Sequence, residues 1–180
     1  MSGERTLHYV CTHKEAGEIV KNHNRFWVID CGCRVQRGGC SRSRVDVCLQ
    51  LKEVTAAGDT GFREISRGDV DKILGEAGEK HLVARPFRDE ATRTTTEGIC
   101  FCCDDCCGYF LNPTEKCDKG TYIEMTDMDL CTDCGICVNV CYFGARKMDG
   151  EKFIIVRDNC YGCSLCADIC PEDCIEMALR

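Results

Sequence analysis

The 180-residue sequence has little of what a membrane, exported or acid–base catalytic chain requires. Its longest hydrophobic runs, Phe26 to Ile29 and Phe153 to Val156, fall far short of the roughly 20 apolar residues that cross a bilayer. Residues 1–24 hold no apolar core ahead of a small-residue cleavage site, so a cytoplasmic location with no membrane span is expected. Histidine is scarce: His8, His13, His23 and His81 are scattered, and none stands at a fixed short spacing from a carboxylate pair or a Gly-rich loop. A lone His is ordinarily a surface or helix-end residue, so no catalytic residue is assigned. Gly38-Gly39-Cys40 lacks the Lys-Ser/Thr that would make it a phosphate loop. Basic residues, 23 against 30 acidic, leave a formal charge of −7. That balance disfavours nucleic acid and anionic lipid and suits a basic docking patch on a partner protein.

Cysteine, by contrast, occurs twenty times. Such density elsewhere marks disulfide-stapled secreted domains, but a reducing compartment turns it toward metal ligation. The run Cys131-x2-Cys134-x2-Cys137-x3-Cys141 recurs at an offset of 29 as Cys160-x2-Cys163-x2-Cys166-x3-Cys170-Pro171. This spacing wraps two cubane 4Fe-4S clusters: three close Cys reach three corners of one cube, and the fourth faces the other cube. The expected sets are Cys131, Cys134, Cys137 and Cys170 for cluster I, and Cys141, Cys160, Cys163 and Cys166 for cluster II. A four-thiolate zinc site would use paired Cys-x2-Cys knuckles without the third and fourth Cys of each run. The implied chemistry is one-electron transfer, and two bound clusters would bring the charge to about −11. Gly135 and Gly162 lie inside the ligand loops, where the backbone must turn tightly. The Pro that usually follows the fourth Cys is replaced in the first run by Tyr142, which removes no ligand but bears on local rigidity. Cys174, aligned with Ala145 in the repeat, reads as a small buried residue beside the second cluster.

The first half carries looser thiols: Cys31 and Cys33, then Cys40 and Cys48, then Cys100, Cys102, Cys103, Cys106 and Cys107. Isolated Cys11 and Cys117 read as small hydrophobes. The adjacent pairs Cys102-Cys103 and Cys106-Cys107 do not, because neighbouring side chains diverge and both would rarely be core. These nine point to a third metal site, a further 4Fe-4S cluster or zinc, with the ligand set open because vicinal Cys seldom both reach one cube. Arg34, Arg37, Arg42 and Arg44 form a basic stretch nearby, read either as cluster tuning or docking, or as a solvated loop.

The pattern predicts an α+β chain in two parts, a Cys-rich N-terminal α/β domain over 1–118 and a compact repeat domain over 119–180, with 112–120 as the linker. A helix is expected over Thr12 to Asn22, with Ala16, Ile19 and Val20 on one face, and a buried strand over Arg25 to Asp30. A second helix is capped by Ser66 and Asp69, with Val70, Ile73, Leu74 and Ala77 as its apolar face. In the repeat, strands are expected near 122–125, 146–148, 153–156 and 175–177, with a turn at Asp149-Gly150.

Residues 119–180 resemble the bacterial two-cluster ferredoxins, which implies a small pseudo-symmetric fold of two antiparallel hairpins beside two short helices. Across the chain, the order Cys31-x-Cys33-Arg34, a lone Cys, Val47-Cys48-Leu49, the capped helix, His81-Leu82-Val83 and Ile99-Cys100-Phe101-Cys102-Cys103 resembles anaerobic multi-cluster ferredoxins. Within them it is similar to the small iron–sulfur subunits of the tungsten-containing, ATP-independent (class II) benzoyl-coenzyme A reductases. The chain departs from that pattern at Asp104-Asp105, where relatives run Gly then Cys. The resemblance implies an electron-transfer subunit that serves a large tungsten-pterin catalytic subunit, with further redox subunits on the far side. Other readings are an electron-transfer subunit of another anaerobic oxidoreductase, a metal-sensing or cluster-assembly protein, and an enzyme binding substrate at an open iron of a first-half cluster.

Overall fold

The computed structural model describes residues 5–54, 61–112, 115–150 and 152–180. In chain order its elements are β1 (His8–Tyr9), α1 (His13–Lys21), β2 (Phe26–Ile29), α2 (Gly32–Gln36), β3 (Cys48–Gln50), β4 (Arg63–Ile65), α3 (Arg67–Glu79), β5 (Val83–Arg88), β6 (Thr96–Cys102) and α4 (Gly108–Leu111). There follow β7 (Cys117–Asp118), β8 (Tyr122–Thr126), a 3-10 turn at Ile136–Val140, β9 (Arg146–Asp149), β10 (Lys152–Ile155), α5 (Leu165–Asp168) and β11 (Ile175–Leu179). No helix among the described residues is long and apolar enough to cross a membrane.

The helices start where side chains satisfy free backbone donors. Ser66 and Asp69 close a reciprocal capping box on α3, as the spacing predicts. Thr12 and Glu15 form a second box on α1, a pair the helical periodicity alone does not reveal. Val70, Ile73 and Ala77 of α3 and Ala16 and Val20 of α1 are buried together against one face of a seven-stranded sheet ordered β4-β2-β3-β6-β5-β1-β7. Burial of each such aliphatic side chain contributes about 1.5–3 kcal/mol, which is what holds the helices to the sheet.

Strand alternation then decides what the opposite face carries. In β6, Ile99 and Phe101 belong to the helix-covered core, so Cys100 and Cys102 project the other way. In β5, Ala84 joins that same core and Arg85 takes the thiol face, its Cα paired with that of Cys100. β3 brings in Cys48 by the same rule, with Leu49 opposite Ile99 in the core.

The repeat forms two further antiparallel pairs, β9 with β10 and β8 with β11. The Asp149-Gly150 turn precedes the pairing of Asp149 with Lys152, and Gly150 has φ 61°. The four expected strands are present, each displaced or extended by a residue or two. The segment read as a linker is partly strand: β7 runs parallel to β1, and Gly120 N donates to Tyr161 O at 2.9 Å. Pro113 and Thr114 of that segment lie outside the described residues.

Candidate metal centres

All twenty Cys are free thiols. The eight of the repeat gather into two groups. Cys131, Cys134, Cys137 and Cys170 line one small cavity, and Cys141, Cys160, Cys163 and Cys166 line another. Each cavity thus takes three thiols from one run and the fourth from the other, the exchange that the spacing predicts. The loops can turn this way because Gly135 and Gly162 hold φ of 71° and 78°. At Gly162 a Cβ would stand 2.1 Å from Tyr122 O, so only glycine lets the loop pack on β8. The two cavities differ in exposure: Cys134 is exposed at the rim of the first, whereas Cys160 is buried in the second. Burial pushes the Cys166 thiol up to about 12 and Cys163 higher still.

Cys174 corrects one expectation. It is buried as anticipated, but it lines the first cavity rather than the second, with its Sγ 3.5 Å from Cys170 Sγ. The chain folds back after Cys170 toward the cavity that Cys170 itself enters.

Arg146 lines both cavities and is 2% exposed. Its Nη1 donates to Cys137 Sγ at 3.5 Å, and its Nη2 donates to Glu124 Oε2, itself 1% exposed, at 2.5 Å. A buried cation between two thiolate sets offsets the charge they would carry. The sequence did carry a signal for it: Arg146 aligns with Ile175 in the repeat, so one copy has a charge where the other has an aliphatic residue.

Tyr142, in the place of the usual Pro, ties the halves together. Its hydroxyl donates to His81 O at 3.0 Å, Arg42 lies over its ring at 5.2 Å, and it packs against the cores of both halves.

The nine first-half thiols do not form one group. Cys31, Cys33, Cys100, Cys102, Cys106 and Cys107 line a cavity of about 350 Å³ with Arg85, Tyr109 and Glu115, and Cys48 Sγ stands 3.9 Å from Cys100 Sγ. Arg85, 3% exposed, points Nη1 at Cys102 Sγ (3.8 Å) and Cys107 Sγ (3.6 Å), while its Nη2 donates to Glu115 at 2.8 Å. Thiol hydrogen bonds from Cys100 and Cys107, with help from the Arg85 charge, hold Cys102 well below the ordinary thiol range. The corresponding hydrogen bond and burial push Cys107 up. At the wall of this basin Cys106 converges with Cys40 and Cys103, all three sulfurs within 4.8 Å of one another. Cys11 is 2% exposed in the core, as expected of a small hydrophobe.

The basic stretch divides. Arg34 is fully buried, donating to Arg44 O and Phe101 O, so it is no solvated loop residue. Arg42 pairs with Asp104 at 2.7 Å, Arg44 pairs with Asp46 and Glu76, and Arg37 is exposed.

Aromatic rings connect the first-half basin to the second repeat cavity. Tyr109, a wall of the basin, meets Phe143 edge-on at 6.4 Å, and Phe143 stacks on Tyr161 at 4.3 Å. Phe143 and Tyr161 both line the second repeat cavity.

Residues 130–175 match the family model described as a 4Fe-4S dicluster domain. The chain is 36% identical over 52 residues to a ferredoxin of Methanothermococcus thermolithotrophicus, covering 27% of this chain and 87% of that protein. It is 37% identical over 57 residues to pyruvate synthase subunit PorD of Methanothermobacter marburgensis, 32% of this chain and 67% of that subunit. Over 60 residues it is 46% identical to indolepyruvate oxidoreductase subunit IorA of Archaeoglobus fulgidus, 33% of this chain but only 10% of the subunit. With most of a ferredoxin matched and its eight ligand-spaced thiols gathered around two cavities, the chain belongs to the two-cluster 4Fe-4S ferredoxins, an iron–sulfur family of electron carriers.

Proposed function

We propose that this chain is the electron-transfer subunit of a cytoplasmic oxidoreductase complex, carrying single electrons to or from a catalytic subunit. The exchange of the fourth thiol between the two repeat cavities carries the reading. Cys131, Cys134, Cys137 and Cys170 hold cluster I, and Cys141, Cys160, Cys163 and Cys166 hold cluster II. A bound cluster supplies reversible one-electron storage with little change of geometry. The residues of this chain place it, set the charge facing it and limit its contact with water. Arg146 offsets the thiolate charge from between the two cavities.

Residues 1–118 add a domain with a third 4Fe-4S cluster in the basin beside Arg85, and residues 119–180 are the ferredoxin domain. The ring contacts through Tyr109, Phe143 and Tyr161 support a third centre placed in line with cluster II. At the other end, exposed Cys134 and exposed Met128, Leu130 and Ile136 around its loop suit the docking of a partner at cluster I.

The partner is a large tungsten-pterin subunit of the class II benzoyl-coenzyme A reductase type, joined by further redox subunits. The motif order along the first half supports this choice. A second reading, an electron-transfer subunit of another oxidoreductase complex, is favoured by the identity to PorD and IorA, both of which are oxidoreductase subunits by name.

Anaerobic purification from the native host tests both, with iron, sulfide, zinc and tungsten counted and co-purifying chains identified. About twelve irons with a large tungsten subunit supports the reductase assignment. A catalytic partner without tungsten supports the second reading. Eight irons without any partner would sink both.

A further inference from the structure

We propose that Cys40, Cys103 and Cys106 form a separate mononuclear metal site of the zinc class, distinct from the third cluster of the adjoining basin. The proposal goes beyond the electron-transfer reading and does not depend on it.

The two vicinal pairs are each split by the fold. Cys102 and Cys107 both turn to Arg85 Nη1, at 3.8 and 3.6 Å. Cys103 and Cys106 instead meet each other, 3.7 Å apart, and Cys40 Sγ stands 3.6 Å from Cys103. Cys102 ends β6 and Cys103 follows it on the other side, and the turn over 104–106 brings Cys106 back to Cys103 while Cys107, at the start of α4, turns to Arg85.

The convergence of three sulfurs on one point suits a single ion. With zinc–sulfur bonds of about 2.3 Å, two thiolates at tetrahedral corners lie about 3.8 Å apart. The observed 3.6 and 3.7 Å match that edge. Cys103-Asp104-Asp105-Cys106 is a Cys-x2-Cys knuckle, closed by Cys107 N donating to Cys103 O at 3.3 Å.

Surrounding groups complete the site. The Asp105 carboxylate is held beside the site by Ser41 N at 2.8 Å but does not converge with the three sulfurs, so the fourth position falls to a solvent oxygen. The buried Arg34 guanidinium lines the same wall as Cys106. Its charge offsets the net negative charge that three thiolates leave on a dication. Cys103 and Cys106 are buried while Cys40 is half-buried, so one wall of the site opens to solvent. By position the site staples the loop after α2 to the loop after β6, which a redox-inert ion does without competing for electrons. Cys31, Cys33, Cys48, Cys100, Cys102 and Cys107 are left, enough for one cluster.

The test uses the full-length chain, purified anaerobically and carrying its iron–sulfur clusters. One zinc per chain is expected beside the iron, with an X-ray absorption shell of three sulfurs at about 2.3 Å and one oxygen near ~2.1 Å. Cys106→Ser should lower zinc content ~tenfold or more while leaving iron content and the iron–sulfur spin-resonance signals unchanged. Cys102→Ser should do the reverse, removing about four irons and keeping zinc. Loss of about four irons in Cys106→Ser would overturn the proposal by placing that thiol on a cluster. If the variant fails to fold, the unsubstituted protein still decides. A zinc shell with fewer or more than three sulfurs, or a fully iron-loaded chain that neither contains zinc nor takes up added Zn(II) or Co(II), overturns it.

Discussion

Arg146→Met is the most informative perturbation of the two-cluster core. It removes a guanidinium that is 2% exposed and 3.5 Å from Cys137 Sγ. For a charge on the order of 6 Å from a bound cluster, an effective dielectric constant near 20 gives an interaction of about 2.8 kcal/mol. For a one-electron couple that equals roughly 120 mV. The sign follows from charge: the cation favours the added electron, so its removal lowers the potential. Glu124 is left buried with only the half-exposed Arg157 as a cation, at 3.0 Å, which pushes the potential down further and costs on the order of 1–3 kcal/mol of stability. The Glu124→Gln/Arg146→Met double variant removes both charges and should show a smaller drop and recover stability. Arg146→Lys keeps the charge and should stay close to the parent. The assay is an anaerobic redox titration read by electron spin resonance. A change under about 20 mV in Arg146→Met, or a rise, would show that the buried cation does not set the potential.

Three further outcomes are expected. Gly162→Ala drives a Cβ to 2.1 Å from Tyr122 O at a φ of 78°, so the variant should lose the iron of cluster II, about four atoms, and full iron content would refute the close approach. Tyr142→Phe deletes the bond to His81 O and should cost about 1 kcal/mol, whereas Tyr142→Ala also empties the contact between halves and should cost about 3–5 kcal/mol; equal melting temperatures for the two would refute the role given to the ring. Burial holds Cys163 and Cys166 protonated in the cluster-free chain, Cys166 up to about 12, and ligation must expel those protons, so cluster reconstitution should rise steadily from pH 7 to about 9. A yield independent of pH would count against buried, protonated ligands.

The legible part of the molecule is the part written in short spacings. Two four-Cys runs 29 residues apart were enough to assign the eight repeat thiols to two groups, and the structure gathers them so. The Ser66 to Asp69 box and the apolar face of α3 were equally readable, because capping and helical periodicity act within a few residues. Strands β3, β5 and β6 went unread as strands. Their thiol face alternates with the core face, and the Ile99-Cys100-Phe101-Cys102 alternation is the cue that would have found them. Cys174 was placed beside the wrong cavity because its neighbours in sequence belong to the second run while its own turn returns to the first.

Local covalent spacing, then, determined that this chain belongs among two-cluster iron–sulfur carriers, since a ligand loop of three Cys needs no distant partner to declare itself. What the tertiary structure alone decided is how the other thiols are shared. Cys48 and Cys100 meet across a sheet from 52 residues apart, and Cys40 reaches Cys103 from 63. Strand register and the two-sidedness of a sheet make those choices, and with them the burial of Arg85 and Arg146 beside sulfur. Which thiols meet leaves no mark in spacing, because it depends on which segments the apolar core brings side by side.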